Sequence, residues 1–179
     1  QEGQGALAFA IALSQYINCS NPSGGDSCGE CLSCRKHYRL THPDLHFAFP
    51  VNASNFLSDS EKKKPVSSYF MPQWNDLVQR NPYFTPGELS NAMGLTGKVG
   101  NISVNEAREI SDALALHSSE SDYKVMIIWQ AEKMNAEASN KLLKLLEEPP
   151  AGTLFILITQ QSEQLLQTIR SRCQLIPLQ

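Results

Sequence analysis

The chain has 179 residues, of which 41% are hydrophobic and 18% charged, and its formal net charge is −3. This composition is ordinary for a globular protein, and the length is enough for one well-buried domain. No apolar run approaches the length of a membrane span, so we expect no membrane partner. The only basic run is Lys62-Lys63-Lys64, which argues against a stand-alone nucleic-acid binder because phosphates are neutralised by clustered Lys and Arg.

The start of the chain combines glycines with a helical pattern. Apolar residues recur at helical spacing from Ala6 to Ile17, and Gly3 and Gly5 precede them. A glycine-rich turn before a helix can hold phosphates through backbone N–H groups. A working phosphate loop also needs a lysine and a hydroxyl residue, but those places are Ala6 and Leu7. We therefore expect no productive binding of ATP or Mg²⁺ at this degenerate loop.

Four of the five cysteines, Cys19, Cys28, Cys31 and Cys34, fall within sixteen residues. The spacing Cys-x8-Cys-x2-Cys-x2-Cys is typical of a structural zinc site with four thiolate ligands and no open position. No secretory signal is evident, and this favours a metal site over disulfides. Three alternatives stay open. The cysteines could be free surface thiols, and a redox Cys-x2-Cys pair is a second alternative, although it would leave Cys19 and Cys28 unexplained. In the third, His37 takes the place of a cysteine at the end of the array.

A strand and a long irregular segment follow the cysteines. His42-Pro43-Asp44 is turn chemistry, and the alternation from Leu45 to Phe49 predicts a strand. Residues 51–100 contain four prolines and many polar residues, yet they also contain Trp74 and other aromatic residues that we expect to pack on the body. The elements predicted within this segment are one loop and two short helices: Asp59–Ser67, then Gln73–Gln79 and Pro86–Met93.

Strand and helix patterns alternate through the second half, which predicts a layered α/β fold with a mostly parallel sheet. Ser103-Val104-Asn105-Glu106 matches a capping box, and Pro149-Pro150 ends the helix that Asn135 caps. The predicted elements are a helix from Val104 to about His117, a strand Lys124–Trp129, a helix from Asn135 to Glu147 or Glu148, a strand Thr153–Thr159, a helix from Ser162 to about Arg172 and a last strand Leu175–Leu178.

Carboxylates are missing where ATP hydrolysis would need them. Such a site holds Mg²⁺ and orients water with acidic residues that follow a buried strand. The run from Val125 to Ile128 is a suitable strand, but Trp129 and Gln130 come next. Together with the missing lysine and hydroxyl, this loss predicts that the chain does not hydrolyse ATP by itself. An active motor ATPase is therefore disfavoured, and the lack of a basic face disfavours a free zinc-dependent nucleic-acid-binding module.

Several motifs, in this order, resemble the clamp-loader branch of the AAA+ ATPases and, within it, the delta-prime subunits of bacterial DNA polymerase III. The resemblance covers most of the chain except residues 51–100. The motifs that carry it are the cysteine array, Thr41-His42-Pro43-Asp44, Lys133-Met134-Asn135, the run Leu142–Pro150 and Ser171-Arg172-Cys173.

The resemblance implies an AAA+ P-loop-type domain over residues 1–179 that is truncated at its N-terminus, since the first strand would precede Gln1. A zinc module would be inserted at 19–40, and a lineage-specific insertion would lie at 51–100. It further implies a catalytically silent, cytoplasmic subunit of the DNA polymerase III holoenzyme. Such a subunit joins γ/τ and δ subunits in a ring that loads the sliding clamp onto primed DNA.

Arg172, with Ser171 beside it, would be the arginine finger that reaches the ATP site of an adjacent γ/τ subunit. The residue alone does not decide this, because an arginine at a helix end is more often solvated or paired with a carboxylate. Cys173 is far in sequence from the other four cysteines. We therefore predict that it is a small buried residue and not a metal ligand.

Overall fold

The protein is described by a computed structural model that covers residues 5–95, 97–116 and 118–178. Gly3, part of the predicted phosphate loop, and His117, the predicted end of a helix, lie outside the described residues. The helices are α1 (Ala6–Ile17), α2 (Leu32–Tyr38), α3 (Asp59–Lys63), α4 (Met71–Arg80), α5 (Pro86–Ala92), α6 (Val104–Ala115), α7 (Ala136–Glu147) and α8 (Gln167–Arg170). The strands are β1 (Leu45–Ala48), β2 (Lys124–Trp129) and β3 (Thr153–Ile158). Among the described helices, none has both the length and the apolarity to cross a membrane.

Three parallel strands form one sheet in the order β1-β2-β3. Leu45 lies opposite Val125, and Val125 lies opposite Leu154. Every residue of β2 is buried, whereas those of β3 are half-buried. A central strand buried on both faces is expected where helices cover a parallel sheet on both sides. The predicted layered α/β fold with a parallel sheet is confirmed.

Side chains of the sheet alternate between two cores, one on each face. Phe47 and Ile127 belong to the core that includes apolar residues of α1, α4 and α5. Met126 and Ile128 belong to the core formed with α6 and α7. This alternation follows from the two-residue period of a strand. The long segment 51–100, which contains α4 and α5, lies against the first core.

Aromatic side chains attach segment 51–100 to the rest of the fold, as predicted. Trp74 of α4 is fully buried and stacks on Phe49, with ring centroids 4.2 Å apart. It also makes edge contacts with Phe84 at 5.4 Å and with Trp129 at 5.7 Å. We call these four residues the aromatic cluster. It joins the segment directly to the carboxyl end of β2.

The predicted loop at Asp59–Ser67 was wrong in its first half, where α3 forms. Ser58 and Glu61 make a reciprocal capping box, because the Glu61 N–H donates to Ser58 Oγ at 3.4 Å and the Ser58 N–H donates to Glu61 Oε2 at 2.7 Å. The lysine run Lys62-Lys63-Lys64 falls at the C-terminal end of this helix, with Lys63 and Lys64 exposed. Local capping therefore creates a helix in a stretch that its charges made look like a loop.

Two predictions near the end of the described chain were also wrong. The helix expected from Ser162 to about Arg172 is divided into a 3₁₀ turn, Ser162–Gln164, and the short α8. The backbone between them is extended at Leu165 and Leu166, with ψ of 145° and 135°. Residues 175–178 do not form the expected strand, since within the described part of the chain no strand pairs with them.

Glu106 lies in the first turn of α6, as predicted, but its carboxylate does not complete a capping box. Ser103 caps the helix by accepting the Asn105 N–H at 3.3 Å. The Glu106 carboxylate instead accepts the Ser67 N–H at 2.7 Å and the Ser67 hydroxyl at 2.5 Å, and the residue is only 2% exposed. Burial raises the pKa of Glu106 to about 7 even though these hydrogen bonds lower it. A buried carboxyl therefore ties α6 to segment 51–100.

Glu106 should make the free energy of unfolding fall as pH rises from 4.5 to about 7. The native carboxyl, with its pKa raised from 4.5 to about 7, keeps a proton that the unfolded chain has lost, so its contribution is full below pH 4.5 and is lost as pH rises through 7. Glu106→Gln should remove this part of the pH dependence in urea titrations, a difference on the order of 3 kcal/mol. Glu137→Gln, which changes an exposed carboxylate in the first turn of α7, is the control. Equal slopes for wild type and Glu106→Gln would contradict the raised pKa.

Removing the Trp74 side chain should destabilise the fold strongly. Trp74→Ala deletes a fully buried indole at the centre of the aromatic cluster, and truncations of this kind cost about 3–5 kcal/mol. Tyr69→Ala, in the same segment but with a side chain 39% exposed, should cost less than about 1 kcal/mol. Chemical denaturation followed by far-UV circular dichroism measures both values. Equal effects would show that segment 51–100 does not depend on this packing.

Candidate functional site

The four clustered cysteines converge on one point beside α1 and α2. Cys19 follows the end of α1, while Cys31 caps α2 and Cys34 lies in its first turn. Their Sγ atoms, with that of Cys28, all lie within 4.8 Å of one another. Four sulfurs about 2.3 Å from a tetrahedral Zn²⁺ would lie roughly 3.8 Å apart. The Cys19–Cys28 and Cys28–Cys34 sulfur distances of 3.5 and 4.0 Å fit a metal ion of this kind.

Backbone amides surround these sulfurs. The N–H groups of Cys28, Cys31 and Cys34 donate to the Sγ atoms of Cys19, Cys28 and Cys31, at 3.3, 3.4 and 3.4 Å. The Cys34 amide lowers the pKa of Cys31 to about 6, whereas burial raises the pKa of Cys34 to about 12. Hydrogen bonds to sulfur favour the thiolate form that binds metal, and a bound cation would offset the burial of Cys34.

His37, the alternative ligand, is not part of the group of four cysteines. Its Nδ1 donates to the carbonyl oxygen of Ser33 at 3.0 Å, and its ring lies 4.2 Å from the ring of His42. Burial lowers the pKa of His37 to about 4, so the ring is neutral at ordinary pH. The structure therefore favours the four-cysteine ligand set.

The His42-Pro43-Asp44 turn has a role that its sequence did not reveal. The Asp44 carboxylate accepts backbone N–H groups from Ser119, Glu120 and Ser121 at 2.7, 2.9 and 3.0 Å. These donors lower the pKa of Asp44 against the opposing effect of its burial. His42 Nε2 also lies 3.0 Å from Ser121 Oγ. The turn thus fastens the residues before β1 to the loop before β2, near the cysteine site.

The first two residues of α1, Ala6 and Leu7, stand where a phosphate loop would have a lysine and a hydroxyl residue. Gly5 caps the helix with φ of 75°, a conformation that favours glycine, and Ala6 and Leu7 follow it inside the helix. Tyr83 from segment 51–100 packs against this cap, because a Cβ on Gly5 would lie 3.1 Å from Tyr83 Cε1. An aromatic ring therefore contacts the backbone that would be needed to hold phosphates.

The carboxyl end of β2 is aromatic where an ATPase needs carboxylates. Trp129 is 8% exposed, and its ring lies 5.3 Å from that of Phe84 and 5.7 Å from that of Trp74. Gln130 follows with φ of 54° and leads into a 3₁₀ turn. Glu132, two positions further on, lines a cleft of about 410 Å³ next to Trp129 and Gln130. Neither Trp129 at the end of β2 nor Gln130 after it supplies a carboxylate ligand for Mg²⁺.

Arg172 lies just beyond α8 and contacts its own chain. Its Nη2 lies 2.6 Å from Glu147 Oε1, and its Nη1 donates to the carbonyl oxygen of Thr168 at 2.8 Å. The Ser171 hydroxyl also donates to the Thr168 carbonyl, at 3.1 Å. Cys173 is exposed, so the prediction that it is buried was wrong, because none of the described elements covers residues 172–174. It is not part of the cysteine group, as predicted.

Comparison with known proteins places the chain in a family. The family described as "DNA polymerase III, delta subunit" matches residues 1–179. The chain belongs to this family. It is similar to the DNA polymerase III subunit delta' of Escherichia coli (strain K12), with 31% identity over 97% of this chain and 38% of that protein. It is also similar to the subunit delta' of Bacillus subtilis (strain 168), with 30% identity over 100% of this chain and 40% of that protein.

Two further proteins match part of this chain. The DNA polymerase III subunit tau of Bacillus subtilis (strain 168) is 39% identical over 90 residues, which are 50% of this chain and 16% of that protein. Among solved structures, a DNA polymerase III gamma-subunit-related protein of Thermotoga maritima is 23% identical, with a TM-score of 0.40 over 77% of this chain and 42% of that one. The chain spans about two-fifths of the length of the delta' relatives.

Freshly purified protein should contain about one Zn²⁺ per chain. Cys28→Ser should lower the zinc content by more than about tenfold, because it removes one of four thiolate ligands. Cys173→Ser is the matched control, since it removes an exposed thiol outside the group and should leave the zinc content unchanged. Plasma emission spectrometry after purification without chelator measures the metal. Stoichiometric zinc in Cys28→Ser, or none in the wild type, would contradict the assignment.

Proposed function

We propose that the chain is a non-hydrolysing part of a DNA polymerase III delta-prime subunit and lends Arg172 to the ATP site of an adjacent γ/τ subunit. In this role it acts in the cytoplasm as part of the holoenzyme, together with γ/τ and δ subunits. The assembled ring loads the sliding clamp onto primed DNA. The family of the chain and the similarity to delta' and tau subunits support the replication role.

One observation carries the non-hydrolysing half of this proposal: β2 ends in a buried Trp129 and not in carboxylates. Phosphoryl transfer depends on a metal ion that bridges the β- and γ-phosphates and on a residue that orients the nucleophile. Ala6 and Leu7 remove the lysine and hydroxyl at the other half of such a site. Both losses support a chain that is catalytically silent by itself.

Segment 51–100, in this proposal, is an insertion that packs between the N-terminus of α1 and the carboxyl end of β2, where an ATPase binds its nucleotide. The aromatic cluster links it to Trp129, and Tyr83 contacts the cap of α1 at Gly5. Both contacts lie where a nucleotide would need polar groups and space. The insertion therefore places apolar and aromatic groups beside α1 and Trp129, and with Trp129 and Gln130 it lines the cleft of about 410 Å³ that remains there.

The exposure and chemistry of Arg172 support the other half of the proposal. Its side chain is 36% exposed, so the guanidinium is within reach of a neighbouring protein. A guanidinium is permanently charged and presents a planar fork that matches phosphate oxygens. Ser171 joins it to α8 through the hydroxyl bond to Thr168 and so supports its position without itself taking part in chemistry.

The cysteine site is proposed to hold a structural Zn²⁺. Residues 18–31 are rich in turns and polar side chains, with little regular structure, and a metal ion would give them a fixed conformation. The Lys36–Glu120 ion pair, with an N–O distance of 2.5 Å, joins α2 to the same loop that donates its backbone N–H groups to Asp44. The zinc module would thus be held against the body of the domain.

Arg172→Ala in a full-length subunit should slow ATP hydrolysis by the reconstituted clamp loader while leaving its assembly intact. A finger in trans contributes on the order of 10³-fold to phosphoryl transfer, so the site that it faces should become nearly silent. Arg170→Ala is the control. Arg170 is exposed and lies two residues before Arg172, at the end of α8, so it should not reach the same phosphate. Steady-state phosphate release and gel filtration provide the two readouts. Unchanged turnover in Arg172→Ala would exclude the finger assignment.

A further inference from the structure

The guanidinium of Arg172 is folded back onto its own chain. One nitrogen, Nη2, lies 2.6 Å from Glu147 Oε1, and the other, Nη1, donates to the Thr168 carbonyl at 2.8 Å. Both terminal nitrogens are therefore engaged before any neighbouring protein is present. A group that must bind phosphate in another subunit has to give up at least part of these contacts.

The partner carboxylate is supplied by a different helix. Glu147 is the last residue of α7, whose Leu142 is 1% exposed, whereas Arg172 follows α8, whose Ile169 is fully buried. The buried side chains of Leu142 and Ile169 anchor α7 and α8 in the core. The ion pair then joins the C-terminal ends of these two helices at the surface. The position of the carboxylate is thus set by the packing of α7 and α8 and not by local sequence.

The pair is exposed enough to be exchanged. The Arg172 and Glu147 side chains are 36% and 42% exposed, and ion pairs in such surroundings change conformational populations by no more than about five-fold. A triphosphate carries several negative charges and accepts charge-assisted hydrogen bonds from the same nitrogens. It can therefore displace a single carboxylate that solvent already screens.

We propose that Glu147 is a releasable catch that holds Arg172 against its own subunit until the phosphates of a neighbouring ATP take its place. Glu147 is then a positioning residue that competes with ATP for the same guanidinium. This inference rests on the proposed function of Arg172. It predicts that weakening the catch makes the arginine more available and raises the apparent affinity of the complex for ATP.

Glu147→Gln in the full-length subunit tests this, because the amide keeps the shape of the side chain and removes its charge. The KM for ATP of the reconstituted complex should fall about two- to five-fold. This is the factor by which the ion pair favours the conformation in which Arg172 is held by Glu147. Glu147→Asp, which keeps the charge, should restore at least part of the wild-type KM. Glu148→Gln is the matched control, since it changes the adjacent exposed carboxylate, which forms no ion pair with Arg172 among the described residues.

A second readout needs no ATP and no partner. In the full-length subunit labelled with ¹⁵N-arginine, the side-chain resonance of Arg172 should shift in Glu147→Gln and stay in place in Glu148→Gln. An unchanged resonance in Glu147→Gln, or a KM equal to that of Glu148→Gln, would overturn the catch.

The outcomes separate the two proposals. If Arg172→Ala leaves turnover unchanged, the finger assignment fails and the catch fails with it. If Arg172→Ala slows turnover while Glu147→Gln leaves KM unchanged, only the catch fails. The catch further requires that Glu147→Gln have no effect on KM when Arg172→Ala is already present, because the two residues act through one contact.

Discussion

The burial of Trp129 among aromatic rings is the constraint on which the rest of this structure depends. Ligands of open α/β sheets bind beyond the carboxyl ends of the strands, and in this protein that end of the central strand is packed against Trp74 and Phe84. An apolar, closely packed surface is a poor place for a divalent cation or a triphosphate, since a charge buried without partners is costly. The packing of segment 51–100 against Trp129 and the missing carboxylates therefore both make the carboxyl end of β2 unsuited to a nucleotide.

Polar chemistry lies instead on short or irregular segments outside the aromatic cluster. The cysteine group is built on turns around α2, and Asp44, between α2 and β1, accepts three backbone hydrogen bonds from the loop before β2. Arg172 lies beyond a helix of only four residues and depends on α7 for its ion-pair partner. A domain without its own phosphate chemistry can still present one cation to a neighbour, because that function needs a fixed helix end and not a formed cleft.

Sequence alone predicted the elements whose signals are local. The helical spacing of α1, the continuous apolar run of β2 and the Asn135 cap of α7 all lie within short windows, and so does the cysteine spacing. Long-range partners were not predictable in this way. Glu106 looked like half of a capping box, but it bonds Ser67, 39 residues earlier in the chain. The apolar pattern at 175–178 suggested a strand, but a strand also needs a neighbour with which to pair, and sequence periodicity does not report one.

We propose that this chain binds no nucleotide in its own cleft, whereas Arg172 serves the ATP site of another subunit. The most direct measurement is a structure of the complete clamp loader, reconstituted with the full-length subunit, Mg²⁺ and a non-hydrolysable ATP analogue. We expect nucleotide in the adjacent subunit, with the Arg172 guanidinium within hydrogen-bonding distance of its terminal phosphate and released from Glu147. Nucleotide and Mg²⁺ bound between α1 and Trp129 of this chain would contradict it.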